Sequence, residues 1–287
     1  MSASPSKATV ANNGINYYYA PSVGMMNDGM GSNHTWEDGA NTGNIRYYGS
    51  APANYIDIGD RDSSGNVIPW RIIGVFKNMK LADGTTDTLV KVIRDETIGD
   101  MTWNNDSESS NDWSTASLKT YLNEGGYYTG LSQHVKDKIA MVEWNLGGYD
   151  STLIYANDIY KYERGELKAD NSFKTIWTGN IALMYPSDYG YSADLTKCTE
   201  TLSSYSADTT NCTGTDWLYS GSDEWLFVPN SSNSSNVFRL AASGWISHTA
   251  APSVSTFYKF RPTLYLKSDL VMKWGDGTSA NRAYVVG

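Results

Sequence analysis

Three apolar runs near the C-terminal end constrain this chain most. They are Trp225-Leu226-Phe227-Val228-Pro229, Val237-Phe238-Arg239-Leu240 and Phe260-Arg261-Pro262-Thr263-Leu264-Tyr265-Leu266. Short runs rich in β-branched and aromatic residues, bounded by polar punctuation, read as strands. The Asn-Ser-Ser-Asn-Ser-Ser-Asn run at 230–236 reads as a loop. Between the second and third runs lies a stretch from Gly244 to Tyr258 that mixes large aromatics with small hydroxyl residues. Apolar strands flanking such a stretch suit a binding face carried on a rigid sheet better than a catalytic pocket.

The same signals recur upstream. Tyr55-Ile56-Asp57-Ile58 reads as a short strand, and Asp60 to Asn66 as a turn. Ile68 to Phe76 and Leu89 to Arg94 read as two further strands, with Asp83-Gly84 in the loop between them. Two helices are then expected. A polar side chain in Asn111-Asp112-Trp113-Ser114 caps the first, whose Leu118, Tyr121 and Leu122 share one face. The second starts near Ser132 and places Leu131, Val135, Ile139 and Val142 on one stripe. Leu153 to Glu163 reads as a third short helix, and Pro186 to Gly190 as a turn. Strands, helices, long loops and strands again give an α+β class with mixed or antiparallel sheets, two main helices and long loops. Residues 1–44 carry Gly, Asn and Ser without a clear period and read as an N-terminal extension; residues 45–287 read as one domain. The polar start, Met1 to Lys7, reads as a flexible end standing where a secretion signal or anchor has been removed.

Charged residues make up only 18% of the chain and aromatics 13%, with 21 Tyr and 10 Trp. That balance is common in extracellular β-rich proteins. A net charge of −9 leaves no basic stripe to displace counterions, which argues against a nucleic-acid partner. It argues equally against docking on anionic lipid. No apolar run is long enough to span a membrane, so no direct insertion is expected. Cys198 and Cys212 are the only cysteines; an even count in a Ser/Thr/Asn-rich chain favours an oxidised pair over free thiols.

A set of motifs carries a family likeness. They include Ile45-Arg46-Tyr47-Tyr48-Gly49, Asn54-Tyr55-Ile56-Asp57-Ile58-Gly59, Trp70-Arg71-Ile72-Ile73-Gly74-Val75-Phe76 and Ile93-Arg94-Asp95-Glu96-Thr97-Ile98-Gly99. Trp144-Asn145-Leu146-Gly147, Trp177-Thr178-Gly179, Leu183 to Tyr191, Asp216-Trp217-Leu218 and Arg261 to Ser268 continue the set. From about Ile45 to its end the chain resembles a family of uncharacterised surface proteins of gut Firmicutes, many with a membrane anchor ahead of this region. That family looks like the C-type-lectin fold in its broad sense. The fold group includes the formylglycine-generating-enzyme-like proteins and the variable proteins of diversity-generating retroelements. The resemblance implies a C-type-lectin-like domain on the cell surface whose binding residues, diversified in such proteins, precede a final framework strand. Asn236 to Tyr258 corresponds to that segment.

The candidate ligand-binding residues are Asn236, Phe238, Trp245, Ser247, His248, Thr249, Ser253, Ser255, Thr256, Phe257, Tyr258 and Lys259. Large aromatics lose little entropy on contact and hydroxyls add adaptable hydrogen bonds, the mixture antibody loops use. The expected partner is a protein or a cell-surface glycan. Neither a metal nor a cofactor is expected. Asp60, Asp62, Ser64 and Gly65 fall at calcium-loop positions, but Arg71 stands where a bidentate Glu is needed, so a plain turn is the better reading. Val228-Pro229-Asn230 lacks the carboxylate expected by resemblance to calcium-dependent lectins. No Gly-x-Ser-x-Gly elbow, P-loop or His-Glu-x-x-His occurs, and the cysteines do not match the reactive positions of formylglycine-generating enzymes. A non-enzymatic binder is therefore expected. A structural subunit of a pilus-like assembly and an enzyme of formylglycine-generating type remain the alternatives.

Overall fold

The Val- and Ile-rich runs form the central hairpin of the molecule. In the computed structural model, Trp70–Lys80 pairs antiparallel with Thr86–Arg94. The structure describes residues 6–9, 16–19, 25–27, 44–105, 110–148, 155–163, 176–195, 197–206, 211–231, 233–250 and 255–287. Both strands run further than the apolar pattern suggested, because the turn closes tightly around Asp83, whose carboxylate accepts from the Thr85 amide at 2.9 Å. The hairpin sits inside a ten-stranded sheet. Along its main path the order is Ile181–Ala182, Thr263–Leu266, Thr86–Arg94, Trp70–Lys80, Tyr55–Asp57, Tyr284–Val286 and Met272–Trp274. Ile45–Tyr47 adds to Trp70–Lys80, and Met25–Asn27 runs antiparallel to Ile45–Tyr47, so part of the N-terminal stretch joins this sheet. A second sheet of five strands has the order Ile246–Ala250, Val237–Leu240, Glu224–Pro229, Tyr258–Phe260 and Ile98–Met101. The class is α+β, mostly sheet with short helices.

Two expectations need correction. The stripe from Leu131 to Val142 is not one helix. Only Gln133–Lys136 is helical, and Ile139–Ala140 and Val142–Asn145 are short strands. Apolar residues three or four apart also serve a single helical turn followed by extended chain. The β-branched Ile139 and Val142 pair instead with Leu266 and Gly179. Pro186 to Gly190, expected as a turn, is one turn of buried helix. The first expected helix forms as Ser117–Asn123 with Leu118 and Leu122 inward, though Asp112 caps a preceding 3-10 turn rather than the helix itself. The third forms over Ala156–Glu163.

The core is aromatic. The Phe227 ring meets Trp113 at 4.9 Å, Tyr185 at 5.3 Å and Trp144 at 5.6 Å, with interplanar angles of 83°, 78° and 67°. Edge-to-face contacts of this kind add to burial itself, and truncating such a ring costs about 3–5 kcal/mol. Trp70, Trp144 and Trp225 are fully buried on their strands, and Trp103 is fully buried just beyond Met101.

A buried ion cluster crosses this core. Asp188 accepts from Arg46 Nη1 at 3.0 Å and is paired with Lys91, and all three side chains are essentially inaccessible. In register, Arg46 stands opposite Gly74 and Gly74 opposite Lys91. A Cβ on Gly74 would come within 2.3 Å of the Ile45 carbonyl oxygen, so only glycine lets these strands approach. Burial works against the Asp188 carboxylate, yet Lys91 and Arg46, with the Tyr185 amide, hold its pKa below the usual range. Asp188→Asn would leave buried cations without their counter-charge. We expect it to cost about 3–5 kcal/mol in urea unfolding. Combining it with Lys91→Met should recover part of that loss.

Candidate functional site

The candidate binding residues converge on the five-stranded sheet around a residue the sequence reading had not included. Arg239 stands directly opposite Trp225 on one neighbouring strand and Ser247 on the other. Its guanidinium carbon lies 5.0 Å from the Tyr258 ring centroid and 5.6 Å from that of Trp245. Tyr258 in turn packs on Trp225, with centroids 4.5 Å apart. The result is a cross-strand ladder, Trp245, Arg239, Tyr258 and Trp225, in which a cation sits between two rings. Asp223 anchors Arg239 by pairing with it and accepts from the Ala242 amide at 3.2 Å. Trp225 Nε1 donates to the Met101 carbonyl at 2.7 Å, tying the ladder to the edge strand.

The ladder separates the candidate residues into those on the face and those beneath it. Phe257 is 55% exposed, Ser255 is exposed, and Trp245, Thr256, Tyr258, Lys259 and Asn236 are half-buried. Phe238 and Ser247 are buried, so they lie under the face and cannot touch a ligand without unpacking the strand. Phe238 belongs to the hydrophobic core, because Val237–Leu240 is covered on both sides near its start. His248 and Thr249 lie on the edge strand Ile246–Ala250, but their side chains fall outside the described residues, as does Ser253. Arg239, Asp223 and Trp225 lie outside the set of binding residues expected from the sequence. A lone arginine inside an apolar strand, beside aromatic neighbours, was the signal for the ladder.

Two loops hold this face in place. The Asn/Ser run at 230–236 is wound around Asn111. The Asn111 side-chain amide donates to the carbonyl oxygens of Asn230, Asn233 and Asn236 at 3.1, 2.9 and 2.7 Å. The Asn236 backbone is thus part of the pin, and the residue is half-buried. The second loop is closed by a disulfide between Cys198 and Cys212, both buried. From this loop the Leu202 carbonyl accepts from the Ile246 amide at 2.8 Å, covering the start of the strand that follows Trp245. The turn before Trp245 rests on the same region. Tyr189 Oη donates to the Gly244 carbonyl at 2.8 Å. Gly244 has φ +103°, and a Cβ there would meet Thr213 Cγ2 at 2.3 Å.

A buried carboxylate sits beside this loop. Asp216 is paired with Ser192 Oγ and accepts from the Leu218 amide at 2.8 Å. Burial pushes its pKa up to about 7, against the opposing pull of those hydrogen bonds and of Arg261. Arg261 is itself committed to Glu224 at 2.7 Å and to the Leu218 carbonyl at 2.6 Å. Among the described residues no group of His, Cys, Asp and Glu is arranged to hold a metal ion, and the Asp62 carboxylate is occupied by the Ser64 and Asn66 amides. No family model matches the chain, and no curated protein or solved structure matches it either.

Two outcomes follow from this geometry. Reducing the disulfide should raise amide exchange at Ile246 well before global unfolding, read by hydrogen-exchange mass spectrometry. The Asp216 carboxyl binds its proton more tightly folded than unfolded, where its pKa is about 3.9. Its stabilising contribution is therefore complete below that value and is lost as pH rises to about 7. In that window stability should fall by up to about 1.4 kcal/mol per pH unit from this group, and Asp216→Asn should flatten the slope in denaturant titrations.

Proposed function

We propose that this protein binds an extracellular ligand, a protein or a cell-surface glycan, on the outward side of the Trp245–Arg239–Tyr258 ladder. The observation that carries the reading is the ladder itself. Half-buried rings are locked on either side of a guanidinium, with exposed Phe257 next to them. Such rings present large apolar area whose side-chain entropy has already been lost, so little is paid again on contact. The hydroxyls of Ser255 and Thr256 and the ammonium of Lys259 supply polar contacts at the rim. The mechanism is presentation by a fixed scaffold, and no covalent step is assigned. A C-type-lectin-like framework fits the order of elements, with the face preceding the framework strand Thr263–Leu266. The disulfide favours an oxidising compartment such as the cell surface.

A structural-subunit reading has one observation in its favour. Val271 and Trp274 are 49% and 62% exposed on or beside Met272–Trp274, which is an edge strand of the larger sheet.

The test is a binding screen against glycans and bacterial or host surface proteins, using the parent chain with Trp245→Ala and Tyr258→Ala controls. Each substitution should weaken binding tenfold or more, since central aromatic anchors dominate interfaces. Equal binding by parent and controls would move the site elsewhere. Concentration-dependent assembly lost on Trp274→Ser, without ligand capture, would favour the subunit reading.

A further inference from the structure

A groove of about 430 Å³ opens at the turn end of the central hairpin and shares no residue with the ladder. That volume lies within the range of small-ligand sites. Leu89 and Ala140 are buried at its base, and Met141 is 46% exposed along one wall. Asp83, Asp87 and Asp269 line the remainder with Lys267, so three carboxylates face one ammonium and the lining carries a net charge of −2. Two of the carboxylates are oriented by neutral donors. Thr85 gives Asp83 its amide and hydroxyl protons at 2.9 and 2.6 Å, which hold the Asp83 pKa below its usual value. Asp87 accepts from the Thr88 amide at 2.7 Å and from the Ser268 hydroxyl. Ser268 thereby fixes the Asp87 wall against the segment carrying Asp269.

We propose that this groove receives a lysine- or arginine-bearing segment of a basic protein partner. The aliphatic stem would lie on Leu89 and Met141, and the cationic head would sit between Asp87 and Asp269. Long cationic side chains match a lining that is apolar below and anionic above, because they bury a hydrocarbon stem while keeping the head among polar groups. A wholly apolar occupant would strip water from the carboxylates and return nothing for it, and an anionic one would add repulsion from three of them. The unbranched Met141 adapts to stems of different shape. A second copy of this chain fits poorly, since each copy carries a net charge of −9.

The test uses the full chain with methionine methyl groups labelled in carbon-13, the Met141 signal being assigned through Met141→Leu. The probe is a blocked tripeptide with lysine between two leucines, and its control carries norleucine in place of lysine. The lysine peptide should shift the Met141 methyl signal saturably, and higher salt should weaken it. Asp269→Asn should weaken it several-fold, and Asp87→Asn with Asp269→Asn at least tenfold. Trp245→Ala should leave it unchanged, which separates this site from the ladder. No saturable shift, equal binding by the norleucine peptide or equal binding by the double variant would overturn the proposal. So would a Met141 shift that depends on protein concentration alone, which would give the groove to a second copy.

Discussion

The fold depends on one buried carboxylate. Asp188 sits on a single helical turn and is met by Arg46 and Lys91 from two strands of the larger sheet. Between those strands runs a third, and the residue in line with both cations is Gly74. A side chain there would collide with the Ile45 carbonyl and part the strands. The absence of a side chain at Gly74 and the presence of charge at Asp188 are therefore one constraint. The cluster is lined by rings, with Lys91 4.3 Å from the Tyr185 centroid and Arg46 4.7 Å from that of Phe76. Ring faces favour cations, which offsets part of the desolvation a buried ion suffers.

This constraint reaches the candidate face through the aromatic core. Tyr185 immediately precedes the helical turn of Asp188 and packs on Phe227, which lies on the same strand as Trp225. Trp225 is the base on which Tyr258 rests. From buried charge to outermost ring the path runs through packed side chains, each with few alternative positions in a close-packed interior. Arg261 supplies a second tie, joining the end of the ladder strands to Glu224 and the Leu218 carbonyl.

Much of the framework was legible in the sequence. Val/Ile-rich runs mark the central hairpin. The segment from 131 to 142 departs from the expected helix because periodicity alone cannot separate a long helix from a helical turn followed by β-branched strand residues. The Asn/Ser run at 230–236 carries loop composition and does form a loop, but what orders it is Asn111, a partner distant in sequence. Phe238 and Ser247 entered the candidate set because they lie in the right segment. Their burial follows from cross-strand register, which one sequence does not display. The place of Arg239 is hidden for the same reason, since it comes from rings of Trp245 and Tyr258 that other parts of the chain bring to it.

Edge protection explains why the face tolerates a Ser/Thr-rich, turn-rich composition at all. A strand at the end of a sheet has unpaired backbone groups on its outer side and frays readily. Ile246–Ala250 is such a strand, and the chain covers its start with the Leu202 carbonyl from a disulfide-closed loop. The disulfide limits the freedom of that loop in the unfolded chain, so little ordering entropy is left to oppose the cover. Stability needed to hold Trp245 outward is thus supplied from beside and beneath the face. Trp245 and Tyr258 pack against the core as well, so the rings of the face are part of the scaffold that holds them, and only their outer sides and the exposed Phe257 are left to the surface.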